Sequence, residues 1–295
     1  MIRSLLLLLL FSSAAFAQPG DHISIRLRKP RTNIILPLIT EYDSAVIRAT
    51  NEKGDHLTKL KSQDFLVTRG ADTAEIISIT EHHNVSTKDL AISFILDNSG
   101  SMYHSYDSVA TYMDSFVDSL ADGFVANAIV FDNKERKPNF ESGRNGLFIA
   151  LSGFTSERKA LKDFWHFYDA IRTEFTPLYD ALVASFRQVR IRRLLGDSLR
   201  QEIIIVITDG LDNASRSTLS TLQEFASVLP LTLYTISYRI EPDNKLDWLA
   251  RRTKGKHYTT DELFLLHNFL EEIRKNISAS YTLKYRFPFK GAAGQ

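Results

Sequence analysis

The sequence predicts an α/β protein, a doubly wound and mostly parallel sheet preceded by a small antiparallel β domain. Three observations lead there. Leu90–Asp97 (LAISFILD), Glu202–Thr208 (EIIIVIT) and Leu231–Tyr238 (LTLYTISY) are largely apolar runs rich in β-branched residues, as strands buried on both faces require. Between them, apolar residues recur every three or four positions, the spacing of helices that cover such a sheet. Ahead of them, Ile23 to His83 reads as short strands separated by turn residues.

Taken in order, the first residues are MIRSLLLLLLFSSAAFAQ: Arg3, an apolar stretch from Leu5 to Phe11, then Ala15-Phe16-Ala17. A basic start, a short apolar core and an A-x-A site make a secretory signal, residues 1–17, cut after Ala17. The apolar stretch is too short to span a bilayer. An exported chain without a transmembrane segment is therefore expected. The sequence holds no cysteine, which removes disulfides and thiolate metal sites. Exported eukaryotic domains of this size usually rely on disulfides, so a bacterial periplasm, exterior or cell surface is the expected address. The three N-x-S triplets, at Asn84, Asn213 and Asn276, are read as chance. A net charge of +1 gives no field to gather nucleic acid or anionic lipid, so neither is expected as a partner.

Residues 18–88 form the small β domain. Strands are expected at Ala45–Ala49, Phe65–Thr68 and Ile76–Thr80, with turns at 51–54 and 70–72. Glu81, His82 and His83 are metal-binding residue types, but they are adjacent and lack a third ligand at useful spacing. They read as a solvated strand end.

Residues 89–279 form the α/β unit. After Leu90–Asp97, the residues Val109, Tyr112, Met113, Phe116, Val117 and Leu120 share one helical face. Phe124–Phe131 is a strand, followed by the polar excursion DNKERKPNFESGRNG and a short strand at Leu147–Leu151. The interval Thr155–Glu174 is mostly helical, its aromatics core packing. Thr176-Pro177 opens the next helix, with Thr176 at the N-cap and Pro177 at the first helical position. Leu246–Arg252 is a short helix, His257–Thr259 an edge strand, and Leu263 to Ile277 the last amphipathic helix. Residues 280–295 supply a final alternating strand, Tyr281–Phe287, stopped by Pro288 and expected to return to the amino-terminal sheet.

In parallel sheets ligands gather beyond the carboxyl ends of the strands, where strand order reverses. The first central strand ends in Asp97-Asn98-Ser99-Gly100-Ser101, which places three small oxygen ligands at alternate positions of one turn. A lone D-x-S-x-S is also what an ordinary polar turn looks like. The second central strand ends in Asp209-Gly210, and following strand direction along the chain brings Thr176 to the same rim. Asp97, Ser99, Ser101, Thr176 and Asp209 thus converge, an oxygen set suited to a hard divalent cation.

The set DNSGS, TPLYDAL and ITDG resembles the metal-ion-dependent adhesion site of the von Willebrand factor type A (vWA) domain family, over Leu90 to about Ala279. The resemblance implies a Rossmann-like fold. It also implies a Mg²⁺ ion (or Mn²⁺ or Ca²⁺) held by the Ser99 and Ser101 hydroxyls, with Thr176 binding directly in the ligand-engaged form. Asp97 and Asp209 would bind directly or through water. Asp212 is either a second acid behind the ligands or a solvated loop residue. An ion held largely by hydroxyls keeps its appetite for an anionic oxygen, so the expected partner is a protein presenting Asp or Glu, as in adhesion. Lys134, Arg136, Lys137 and Arg144 either form a solvated loop or steer such partners.

No nucleophile with a general base stands beside this set, so no enzyme is expected. Two alternatives differ in class. A metal-dependent hydrolase would use Asp97 as nucleophile, but aspartyl phosphatases want a second acid where this chain has Ser99. A structural scaffold would carry the site as a relic.

Overall fold

A computed structural model of the chain describes residues 23–28, 32–41, 44–83, 90–131, 149–151, 153–167, 175–195, 201–239 and 244–287. The expected signal peptide and the four rim cations lie outside them. Three strands come first: β1 (Ile23–Leu27), β2 (Thr32–Glu41) and β3 (Ser44–Asn51). Then follow β4 (Phe65–Arg69), the two-residue β5 (Asp72–Thr73) and β6 (Glu75–His82).

The α/β unit runs β7 (Leu90–Asp97), α1 (Tyr106–Ser119), β8 (Val125–Phe131), β9 (Ile149–Ala150), α2 (Arg158–His166) and α3 (Leu178–Leu194). It continues with β10 (Gln201–Thr208), α4 (Leu219–Val228), β11 (Leu231–Tyr238), α5 (Asn244–Arg252), β12 (His257–Thr260) and α6 (Leu265–Ser278), and the chain returns in β13 (Ser280–Arg286). Among the described residues no helix is long and apolar enough to cross a membrane.

The six-stranded sheet has the order β12-β11-β10-β7-β8-β9. Every neighbouring pair is parallel except β8 with β9. Its inner strands β7, β10 and β11 are buried residue by residue, which explains their largely apolar sequences. Alternation sends Ile92, Phe94 and Leu96 of β7 to one face, packed with α1, α2 and α6, where Phe94 meets Phe116 and Trp165 edge-on. Ile95 goes to the other face, with α3, α4 and α5.

The strands outside this unit form two antiparallel sheets, β1-β4-β5 and β2-β3-β13-β6. They enclose a separate core of Ile25, Ile47, Phe65, Val67, Tyr281 and Leu283. β13 lies between β3 and β6, pairing Tyr281 with Ile47 on one side and with Glu81 on the other. The segment after α6 therefore completes the sheet that the amino-terminal strands begin. Lys256 Nζ bridges the two parts, donating to Asp55 Oδ1 at 2.7 Å and to Glu272 Oε1 at 2.5 Å.

A candidate metal centre at the ends of β7 and β10

From β7 the chain leaves in one direction to β8, while β10, β11 and β12 stack outward in the other. The strand order therefore reverses between β7 and β10, where a crevice opens at the carboxyl ends. Asp97 is the last residue of β7 and Asp209 follows the last residue of β10.

Hydrogen bonds link most of the predicted set. Asp97 Oδ1 accepts the Ser99 N–H at 2.8 Å, closing the turn. The Ser99 and Ser101 hydroxyls are 3.2 Å apart, and Ser101 Oγ donates to Asp209 Oδ1 at 2.6 Å. Thr176 joins across Gly210: a methyl group built on that glycine would sit 3.1 Å from Thr176 Oγ1 and 3.7 Å from Asp97 Oδ2. One point beside Gly210 is thus within van der Waals reach of both oxygens. Asp97, Ser99, Thr176 and Asp209 are buried, whereas Ser101 is exposed, so the cluster meets solvent on the serine side.

The electrostatics are those of a site short of positive charge. Burial raises the Asp97 carboxyl above its ordinary value, against hydrogen bonds from Ser99 and Thr208. Burial raises Asp209 to about 6, and the neighbouring Asp97 charge adds to the rise, against the Ser101 hydroxyl and the charge of Arg239. Among the described residues neither carboxylate is in an ion pair with a basic side chain. Two desolvated carboxylates side by side are costly unless a proton or a cation joins them.

Four residues outside the predicted set hold it in place. Thr208 Oγ1 donates to Asp97 Oδ2 at 2.5 Å. Asn213 clamps Thr176 from both sides: its Oδ1 accepts the Thr176 N–H at 2.7 Å, and its own N–H donates to the Thr176 carbonyl at 3.2 Å. Ser215 Oγ accepts the Asp180 N–H at 2.9 Å, while the Asp180 carboxylate accepts the N–H groups of Arg216 and Ser217 at 3.0 and 2.9 Å. The start of α3 is thereby locked onto the loop after β10.

Two details of the sequence reading change. Pro177, not Thr176, is the N-cap of α3, and no side chain caps the helix. Asn213 occupies both backbone groups of Thr176, so the helix begins later, at Leu178. Asp212 is not a solvated loop residue: its Oδ1 accepts the Tyr179 N–H at 3.0 Å, at the first turn of α3 where negative charge is favoured. Burial raises its carboxyl as well.

No family model matches the sequence, and a search of curated proteins returns no significant match. Solved structures do match. Proximal thread matrix protein 1 from the mussel byssus, with a zinc-occupied MIDAS motif, superposes with a TM-score of 0.52 at 15% identity, over 70% of this chain and 50% of that one. The pilus adhesin SpaC from Lactobacillus rhamnosus GG, in its open conformation, gives 0.50 at 13% identity over 70% and 33%. The likeness is one of fold. The chain spans half the mussel chain's length and a third of the adhesin's. A von Willebrand factor type A protein from Catenulispora acidiphila is matched more loosely, with a TM-score of 0.48 at 14% identity over 88% and 51%.

Proposed function

We propose that Asp97, Ser99, Ser101, Thr176 and Asp209 hold a hard divalent cation, and that the chain is an exported module binding a partner protein through it. The observation that carries this reading is the pair of buried carboxylates, neither in an ion pair among the described residues, joined through two serine hydroxyls. The donors fit Mg²⁺, or Mn²⁺ and Ca²⁺, since all are oxygens and only two carry charge. The ion would supply an electrophilic position for a carboxylate from outside.

This chain's own residues do the rest. Thr208 and the Ser99 N–H orient Asp97; Ser101 orients Asp209; Asn213 fixes Thr176. Tyr103, Phe175 and Leu211 each stand within two residues of a proposed ligand and are 41%, 48% and 59% exposed. Such a rim suits a protein surface that buries apolar area around an acidic side chain.

Isothermal titration of the mature chain with MgCl₂ and MnCl₂ tests the metal, with Asp97→Ala as control. One equivalent bound by the wild type and none by the variant is expected. Capture of partners in Mg²⁺ and release by a chelator tests the interaction. Wild-type protein indifferent to both metals would end the reading.

A further inference from the structure

The sequence leaves Glu81, His82 and His83 without a third ligand, and the fold brings one. The turn after β3 places His56 against the end of β6, with its Nε2 3.6 Å from Glu81 Oε1; His83 Nε2 is 3.8 Å from the same oxygen. His82 is engaged elsewhere, its Nε2 2.9 Å from Thr282 Oγ1.

The His56 side chain is 7% exposed, and neither of its ring nitrogens has a hydrogen-bond partner, nor does Glu81 Oε1. Three polar atoms that are buried or face one another without hydrogen bonds call for a missing group. A proton does not serve well. Burial, and then the charge of Arg48, lower the pKa of His56 although Glu81 pulls it up, and at 3.6 Å the His56–Glu81 contact is too long for a good hydrogen bond. Glu81 stays ionised: burial raises its carboxyl, but the Lys59 N–H on Oε2 at 2.9 Å and further polar neighbours outweigh it. A neutral imidazole facing a carboxylate is the ligand pair that a borderline divalent metal takes.

We propose that His56, Glu81 and His83 form a second metal site, rich in nitrogen and selective for Zn²⁺, independent of the site at β7 and β10. Tetrahedral zinc with bonds of 2.0–2.1 Å sets its ligand atoms about 3.3 Å apart, a few tenths of an ångström below the two separations seen here. Among the described residues, as they stand, no group of three His, Cys, Asp or Glu side chains could hold a metal ion. A closing movement is required, and His83 supplies it, being 69% exposed and one residue past the end of β6. Water takes the fourth position on that open side. His56 is otherwise fixed, its ring stacked on Tyr281 at 5.6 Å and its N–H donating to Asn276 Oδ1 of α6 at 3.2 Å. Zinc here would tie the turn after β3 to β6, beside the contact with α6.

The test is titration of the mature chain with ZnCl₂ in excess Mg²⁺, which occupies oxygen sites and spares imidazole, repeated with Co²⁺ to read tetrahedral visible absorption. One equivalent of Zn²⁺ is expected for the wild type and for Asp97→Ala. His56→Ala, Glu81→Gln and His83→Ala should each bind at least about tenfold more weakly, since even the outer partners of metal ligands are worth roughly 10–100-fold in affinity. Circular dichroism checks the fold of His56→Ala; His83→Ala, on an exposed side chain, keeps the test decisive if that variant unfolds. Zinc uptake unchanged in His83→Ala and Glu81→Gln, or lost in Asp97→Ala, overturns the proposal. So does a wild type that binds no zinc.

Discussion

Replacing Asp209 by Asn should make the metal-free protein more stable while ending its response to magnesium. In the folded chain the Asp209 carboxyl titrates at about 6, against an ordinary value of 3.8, because it is buried and faces Asp97. At pH 7.5 the ionised form therefore burdens the fold by at most roughly 3 kcal/mol. Asparagine keeps an oxygen for the Ser101 hydroxyl but adds an amide that needs a partner. The net gain expected is on the order of 1 kcal/mol. Urea denaturation at pH 7.5 in EDTA and in Mg²⁺ measures it. The wild type should gain about 2.7 kcal/mol at a hundred times the Kd for Mg²⁺, and the variant nothing. The sign with pH follows from the same shift. Between pH 3.8 and about 6 the folded state binds more protons at this site than the unfolded chain. The wild type minus Asp209→Asn difference in EDTA should therefore move in favour of the wild type as pH falls through 6. Magnesium-dependent stabilisation should fade over the same interval, since protons compete for the ligand. A variant less stable than wild type in EDTA, or still stabilised by Mg²⁺, would refute the reasoning.

Further predictions follow from single contacts. Gly210→Ala sets a methyl 3.1 Å from Thr176 Oγ1, so Mg²⁺ affinity should fall several-fold, by titration calorimetry, with a stability change under about 1 kcal/mol. Asn213→Ala removes the side-chain half of the clamp on Thr176 and should cost about 1–3 kcal/mol in urea melts, with partner binding weakened more than metal binding. Glu202→Ala removes the buried ion-pair partner of Arg192 between α3 and β10. It should destabilise by roughly 3 kcal/mol or more and leave the Mg²⁺ stoichiometry of the folded fraction unchanged.

The parallel sheet was legible because its strands are buried on both faces, so EIIIVIT and LTLYTISY are dominated by apolar and β-branched residues, with only a few small polar ones such as Thr232, Thr235 and Ser237 among them. The return of β13 was legible from its strict alternation, matched by Tyr281, Leu283 and Tyr285 buried in the second core. The proximity of the five proposed ligands was legible because short-range spacing fixes Asp97, Ser99 and Ser101, and strand direction brings Asp209 and Thr176 to their rim. What holds them was not. Thr176 with Asn213, Tyr179 with Asp212 and Asp180 with Ser215 are 37, 33 and 35 residues apart. No local pattern marks such pairs. The N-cap of α3 was misplaced for that reason: Thr-Pro is a sound cap signal until Asn213 claims the Thr176 backbone. His56 likewise meets Glu81 only through the curl of the turn after β3.

The most direct test of the metal centre is an anomalous difference map from crystals of the mature chain soaked in Mn²⁺. The account predicts a peak bonded to Ser99 Oγ and Ser101 Oγ, with Asp97, Thr176 and Asp209 around it. A map with no peak between β7 and β10 at saturating Mn²⁺ would contradict it.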